Sequence, residues 1–367
     1  MAIYYVAKSG NDSNAGTDIA APKLTIDNAV GVARSSADNI VEIIDSGQYD
    51  EGDIEILSNA VTVRATGTNK PILDGDSGNE DHAFQTYVSG CVFQGLTFRN
   101  YDDQLIDGFT TAGLNFILSG CVGYLFGGPQ HIGGGGGTEI HRCKIVATSH
   151  RTLNVHSGNV WINNSFLATN AVGYPVIVSS ITYPKVTASF CTIVGSAYEN
   201  SSNRNYNLIN QVHTVRNCII SGTGDGINAY DSTYNLVKVS GDPFIEFSSD
   251  SWDGTPRTAG TGEVTGDPIF ISGSKPGWAD PALAGNATVD TQNYTPLNSS
   301  SPAAGAGVAA YGITLDLTGT TRGAPPDIGA LELIATGYGN IVIGVDEDDI
   351  EKVLTVASAD ISKVIGV

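Results

Sequence analysis

Positive charge is scarce in this chain, and long apolar runs are missing. Of 367 residues, 18 are Lys or Arg and 38 are Asp or Glu, so the formal net charge is -20. Nucleic acids and anionic membranes attract proteins through many Lys and Arg side chains, so neither partner is expected. No segment approaches the roughly 20 apolar residues that cross a bilayer, so no membrane insertion is predicted.

Cysteine and methionine are also rare. The chain has one Met and five Cys. The cysteines lie between Cys91 and Cys218, are odd in number and show no CxxC spacing. This pattern fits neither a disulfide framework nor a zinc site, so buried free thiols are predicted. The start, MAIYYVAKSGNDSNAGT, has no secretory signal. Synthesis in a cytoplasm is expected, with an extracellular protein that has lost a leader as the alternative.

Glycine is abundant, and this abundance indicates the fold class. The chain has 45 Gly, 41% hydrophobic residues and 15% charged residues. Such a composition predicts many short strands joined by tight turns, hence an all-β protein. A solenoid accommodates this length in one domain because its core grows along one axis.

An irregular repeat occupies the middle of the chain. The segments FQGLTF, LSGCVG, IHRCKI, WINNSF, ASFCTI and VRNCII align at their fourth positions, which are Leu96, Cys121, Cys143, Asn164, Cys191 and Cys218. Successive positions are 25, 22, 21, 27 and 27 residues apart. Each interval matches one solenoid coil of three strands, so these residues are expected to stack inside, about 4.8 Å apart. Asn164 is predicted to be a buried amide bonded to turn backbone.

Three regions are predicted. Residues 1–50 contain a strand and an amphipathic capping helix, with Thr25 as N-cap and Ile26, Val30, Val32 and Ala33 near one face. Residues 51–333 form the solenoid and end in turns and a final strand. Residues 334–367 form a small attachment or oligomerisation module, in which DIEKV and DISKV repeat at an interval of 11 residues.

The chain resembles the pectate-lyase-like superfamily of right-handed parallel β-helix proteins over about residues 3–333. The resemblance lies in YYVAKSGNDSNAGT, APKLTIDNAV, GDPIF, SSSPAAGAG and TRGAPPDIGALEL. It implies a single right-handed parallel β-helix. The superfamily includes polysaccharide lyases, glycoside hydrolases, esterases and viral tailspikes, so the fold does not select an activity. The tail DISKVIGV resembles short repeats of phage structural proteins, which implies a virion component.

Parallel β-helix enzymes that cut acidic glycans resemble one another in pairing calcium-binding carboxylates with a Lys or Arg. The cationic side chains here cluster in HRCKIVATSHRTLNVH, where Arg142 and Lys144 flank an inward cysteine and are expected to face solvent. Solvated side chains on turns are the simpler interpretation. If the protein is an enzyme, the catalytic candidates are His150, Arg151, His156 and Lys185.

The acidic and aromatic candidates are less specific. Asp102, Asp103 and Asp107 are the nearest carboxylates for calcium, the one cofactor considered, or for a hydrolase pair. The glycan-stacking candidates, for which partial core burial is the alternative, are Tyr101, Tyr124, Phe126, Tyr174, Tyr183, Trp252 and Trp278. For Asp316, Arg322, Asp327 and Glu332, a structural ion-paired role at a terminal turn is favoured over an active cluster. Gly133 to Gly137 are interpreted as a flexible turn and not as a nucleotide site.

Three functions remain open from the sequence. The favoured one is a virion or surface-appendage protein, such as a tailspike, fibre or decoration protein. It would be a homotrimer that contacts other virion proteins and binds surface polysaccharide. The alternatives are a polysaccharide lyase or glycoside hydrolase, and a secreted bacterial adhesin.

Overall fold

Parallel strands dominate the computed structural model of the protein. It describes residues 1–75, 80–107, 116–126, 130–132, 137–147, 152–155, 158–169, 176–179, 185–196, 207–223, 225–239, 243–245, 256–269, 300–310 and 312–333. Residues Met1–Leu333 belong to one compact unit. Within the described ranges, no helix is long and apolar enough to cross a membrane.

The strands stack into three faces that the chain visits in turn. Face 1 holds β1 (Ile3–Val6), β2 (Asn39–Ile43), β5 (Val61–Ala65), β8 (Cys91–Gln94), β11 (Phe116–Ser119), β14 (Thr138–His141), β17 (Asn159–Asn163) and β20 (Lys185–Ser189). Face 2 holds β3 (Gln48–Tyr49), β6 (Ile72–Asp74), β9 (Thr97–Arg99), β12 (Val122–Phe126), β15 (Lys144–Ala147), β18 (Phe166–Thr169), β21 (Thr192–Ser196), β23 (Ile219–Thr223), β25 (Leu236–Lys238) and β27 (Val264–Thr265).

Face 3 completes each coil. It holds β4 (Ile54–Ile56), β7 (Phe84–Thr86), β10 (Ile106–Asp107), β13 (Gln130–Ile132), β16 (Leu153–Val155), β19 (Ile177–Ser179) and β26 (Phe244–Ile245). The long strands β22 (Asn207–Arg216) and β24 (Asp225–Thr233) pair with face 3 near their beginnings, and β22 pairs with face 1 near its end. All pairings between these strands are parallel. The predicted all-β parallel β-helix is therefore confirmed.

The interior ladder is present, but one of its members differs from the prediction. Cys121, Cys143, Cys191 and Cys218 are buried free thiols, as expected. The pairing of His141 with Asn163 and of Asn163 with Ser189 aligns Ser165, not Asn164, with Cys143 and Cys191. With Asn164 at the fourth position, the alignment puts Trp161 at the first, apolar position of WINNSF, whereas in the structure Ile162 takes that position and is buried beside Ile140 and Ala188. The alignment was therefore wrong by one residue in this coil.

Burial favours the protonated form of Cys91, Cys143 and Cys218. It raises the pKa of Cys91 to about 11, and it also raises the pKa of Cys143 above its ordinary value. A protonated thiol in an apolar interior behaves as a small hydrophobic side chain. The cysteines therefore serve as core residues.

Helix α1 (Ile26–Ala33) packs at the first coils. Thr25 is the N-cap, as predicted, because its hydroxyl accepts a hydrogen bond from the Asn28 amide. The Glu51 carboxylate accepts two further amide hydrogen bonds from the first helical turn, at 3.1 Å from Ile26 N and 2.8 Å from Asp27 N. Three of the predicted apolar positions are buried, but Val32 is exposed and does not belong to the inner face.

The closing segment, residues 300–310 and 312–333, covers the outer surface of face 2. Its residues Leu317, Ile328 and Ala330 form a second hydrophobic cluster with face 2 side chains that include Tyr124 and Phe166. No strand is assigned within these described residues, so the predicted final strand is not found. The outward side chains of face 2 that belong to this cluster are buried because the closing segment lies over them.

Arg322 anchors the closing segment. Its guanidinium pairs with Glu332 at 3.2 Å and donates hydrogen bonds to Asn164 Oδ1 at 2.7 Å and to the Gly329 carbonyl at 2.9 Å. Its Cζ lies 4.1 Å from the centroid of the Phe190 ring. The structural ion-paired role predicted for this residue is confirmed. The cluster lies against middle coils and not at a terminal turn. Asn164 is buried, as predicted, and its side-chain oxygen accepts a hydrogen bond from Arg322.

Candidate functional site

A shallow depression lies on the outer surface of face 1. Its volume is about 340 Å³, and it is lined by Glu139 and His141 of β14, Trp161 and Asn163 of β17, and Thr187 of β20. Side chains alternate across a strand, and the neighbours Ile140, Ile162 and Ala188 point into the core. The lining residues are therefore directed outward by the same alternation that builds the interior.

Strand register brings these side chains together. Glu139 pairs with Trp161, and Trp161 pairs with Thr187, so the three stand in one row. His141 pairs with Asn163 in the adjacent row, two residues further along each strand. Each row crosses neighbouring coils at about 4.8 Å per step. Residues more than 20 positions apart in sequence thus become direct neighbours.

Both ring nitrogens of His141 have partners. Nε2 lies 2.7 Å from Glu139 Oε2, and Nδ1 lies 3.4 Å from Asn163 Nδ2. The carboxylate favours the tautomer with hydrogen on Nε2, and Nδ1 is then left as the acceptor. The arrangement holds an imidazole with its basic nitrogen beside an amide, at the edge of an open depression.

Trp161 supplies the apolar part of the depression. Its side chain is among the large exposed hydrophobics, with 38% of the residue accessible. An exposed indole presents a flat apolar face and an N–H donor, which suits stacking on a sugar ring. Sequence reasoning missed Trp161 because the misaligned repeat placed it in the interior. It missed Glu139 and His141 because only the strand register shows that they lie beside Trp161 and Asn163. Inward Ile162 beside Ile140 was the available signal.

The aromatic candidates from the sequence divide into two groups. Tyr101 is 1% exposed, and its hydroxyl donates to the Glu51 carbonyl at 2.7 Å. Tyr124 is also buried, beneath the closing segment. The expectation that these two rings stack on a glycan is thus corrected, since both are core residues. The side chain of Phe126, and the whole of Tyr174, Tyr183, Trp252 and Trp278, lie outside the described residues.

The acidic candidates contact a histidine, a hydroxyl group and backbone groups. Asp103 lies 3.6 Å from His82 Nε2, while Asp53 lies 3.0 Å from His82 Nδ1. The carbonyl of Asp107 accepts a hydrogen bond from Thr86, and the amide of Asp102 donates to Glu80. Among the described residues no group of three or more His, Cys, Asp or Glu side chains is arranged to hold a metal ion. A calcium-binding role for Asp102, Asp103 and Asp107 stays a prediction.

The cationic candidates are only partly described. Arg142 and Lys144 are half-buried, on either side of Cys143. Lys185 begins β20, where its backbone pairs with Asn159. His150, Arg151 and His156 lie outside the described residues, as do residues 334–367 and Gly133 to Gly136. Catalytic roles for these four candidates stay predictions.

Comparisons with known proteins agree with the architecture. No family model and no curated protein matches this chain. The crystal structure of the pectate lyase Pel9A superposes with a TM-score of 0.51 at 14% identity, covering 91% of this chain and 97% of that one. The chain has the pectate-lyase-like parallel β-helix fold.

A second structure is less similar. The pectin methylesterase from Aspergillus niger matches with a TM-score of 0.40 at 12% identity, covering 79% of this chain and 95% of that one. At 14% and 12% identity, the similarity between this chain and these structures concerns the fold alone. Its function has to be argued from its own side chains.

Proposed function

We propose that the protein binds a carbohydrate chain on the outer surface of face 1. The observation that carries this proposal is the depression in which exposed Trp161 lies beside Glu139, His141, Asn163 and Thr187. Sugar rings have apolar faces that stack on an indole and hydroxyl groups that hydrogen-bond to carboxylate, amide and hydroxyl side chains. The depression offers both kinds of contact within one site.

We propose that the protein is a component of a virion or of another surface appendage. The repeat in residues 334–367 supports a homotrimer that contacts other virion proteins. A stiff stack of coils with an external glycan site suits attachment to a surface polysaccharide. The carbohydrate site and this setting are independent parts of the proposal.

Trp161→Ala is expected to weaken glycan binding at least about 10-fold, which corresponds to ~1.4 kcal/mol. The loss follows from removal of the stacking surface. The measurement is calorimetric titration with the polysaccharide that binds best in a panel of neutral and uronate-containing polymers. Tyr87→Ala is the matched control, because Tyr87 is 37% exposed and follows β7 on face 3. Equal affinities for wild type and Trp161→Ala would contradict the proposal.

A second candidate function is glycan cleavage at the same depression. The Glu139–His141 contact of 2.7 Å favours it, because a carboxylate that orients an imidazole supports proton abstraction by the other ring nitrogen. A pair of hydrolytic carboxylates would need a second acid. Glu139 is the one carboxylate among the described lining residues, so an eliminative lyase reaction fits better than hydrolysis.

Cleavage predicts that His141→Ala lowers turnover about 100-fold or more, since general-base catalysis contributes roughly this factor. The measurement follows absorbance of unsaturated products and release of reducing ends across the polysaccharide panel. Tyr87→Ala, which removes an exposed side chain next to face 3, is the control. Binding without any product formation by the wild type would reject cleavage and leave the binding proposal intact.

A further inference from the structure

A second exposed aromatic group lies on the same side of the coils as Trp161. Tyr230 of β24 is 72% exposed, and its ring stacks on that of His213 of β22 with centroids 5.5 Å apart and an interplanar angle of 27°. Val212 pairs with Ala229 and Thr214 pairs with Asp231, so His213 and Tyr230 stand opposite each other on adjacent strands. The stacking holds the exposed tyrosine ring in place.

The register fixes the separation between Tyr230 and Trp161. Trp161 pairs with Thr187, Thr187 with Thr214, and Thr214 with Asp231, the neighbour of Tyr230. Three steps between neighbouring strands separate the two aromatic positions, which is roughly 14 Å at 4.8 Å per step. This distance exceeds the length of one sugar ring, so a single ring cannot touch both aromatic side chains.

We infer that a bound glycan runs along face 1, across successive coils, and occupies a second subsite on Tyr230 and His213. This inference rests on the proposed function and specifies the length of the ligand. The row between the two aromatic positions carries Thr187, whose hydroxyl suits a sugar hydroxyl, and Thr214, which is 5% exposed and whose hydroxyl lies 2.9 Å from His213 Nδ1. Two aromatic surfaces joined by a polar row favour a polymer over a mono- or disaccharide.

Charge indicates which polymer fits. Glu139 stands in the row of Trp161, and Asp231 is adjacent to Tyr230, so each aromatic position has a carboxylate nearby. The whole protein carries a formal charge of -20, which repels polyanions over the Debye length. The cationic or potentially cationic residues on the described strands around this row are His141, Lys185, His213 and Arg216. For binding without cleavage, these charges favour a neutral glycan over a polyuronate, whereas eliminative cleavage, the second candidate function, would require a uronate ring.

The test is a series of neutral oligosaccharides of increasing length, titrated against the full chain. Wild-type affinity is expected to rise once the oligomer reaches both aromatic positions. Tyr230→Ala should leave the affinity for short oligomers within about 2-fold of wild type and lower that for long oligomers about 10-fold. Trp161→Ala should weaken the binding of short and of long oligomers. Tyr87→Ala should change neither.

The outcomes separate the two claims. If Trp161→Ala weakens binding and Tyr230→Ala has no effect on long oligomers, the second subsite is wrong and the binding function stands. If the wild type binds no member of the series or of the polysaccharide panel, both are wrong. A polyuronate that binds more tightly than a neutral polymer of equal length would overturn the assignment of the ligand class. Because Tyr230 is largely exposed, its removal leaves the core unchanged.

Discussion

Replacing Arg322 by methionine will lower the free energy of unfolding by about 3–5 kcal/mol. The substitution leaves the Glu332 carboxylate buried without its cationic partner. It also removes hydrogen bonds to Asn164 Oδ1 and to the carbonyls of Gly329 and Ala330. Urea unfolding followed by circular dichroism measures the change.

Desolvation explains why breaking this pair is costly. Burial lowers the pKa of Arg322, and it raises the pKa of Glu332 even though a guanidinium lies beside that carboxylate. Glu332 also accepts hydrogen bonds from the amides of Gly323 at 2.7 Å and Asp327 at 3.0 Å. Removing the guanidinium takes away the group that contacts Glu332, Asn164 and the Gly329 carbonyl together.

A matched control is available at the surface. Arg64 pairs with Glu42 across β5 and β2, and its side chain is 37% exposed. Arg64→Met should cost at most about 1 kcal/mol, because exposed pairs contribute little. The double variant Arg322→Met/Glu332→Gln should recover part of the loss. If the two single Arg variants are equally stable, Arg322 does not anchor the closing segment.

Replacing Phe93 by alanine will also cost about 3–5 kcal/mol. Phe84 of β7, Phe93 of β8 and Phe98 of β9 belong to faces 3, 1 and 2, so one ring from each face meets inside the solenoid. The ring centroids of Phe84 and Phe93 are 4.7 Å apart, and those of Phe84 and Phe98 are 6.3 Å apart in an edge arrangement. Loss of the Phe93 ring leaves a cavity beside Phe84 that the surrounding sheets cannot close.

Urea unfolding also measures this effect, and hydrogen exchange shows where it acts. Each coil contacts mainly its neighbours, so amides of β5, β8 and β11 should lose protection more than those of β20 or β23. Tyr87→Ala should change stability by about 0.5 kcal/mol or less, because the side chain is exposed. A Phe93→Ala protein as stable as Tyr87→Ala would show that the three rings do not form a shared core.

The repeat shows how far sequence reasoning reaches in this protein. The cysteine-bearing segments predicted the coils, because Cys121, Cys143, Cys191 and Cys218 occupy equivalent interior positions. One segment was misaligned, since WINNSF has apolar residues at both Trp161 and Ile162. In a strand with period two, a shift of one residue exchanges the inner and outer faces. That single error moved Trp161 from the surface to the core in the prediction.

The candidate site was predictable only in part for the same reason. Aromatic residues were correctly sought as sugar platforms, but Tyr101 and Tyr124 are buried. Tyr124 is buried because the closing segment, from the far end of the chain, packs over face 2. The sequence around Tyr124 gives no sign that a segment from the far end of the chain packs over it. Glu139 and His141 became candidates only when the register placed them beside Trp161 and Asn163.

The sequence by itself determined the all-β class, the winding into stacked coils, the capping helix at Thr25 and the interior of free thiols. These features follow from composition, local capping chemistry and a repeat that each coil shows separately. The tertiary structure alone decided which surface is open. The middle strands of face 2 are covered by residues 300–310 and 312–333, which Arg322 anchors, while the row through Glu139, Trp161 and Thr187 stays accessible on face 1. Contacts between residues up to 158 positions apart, as between Asn164 and Arg322, create that difference.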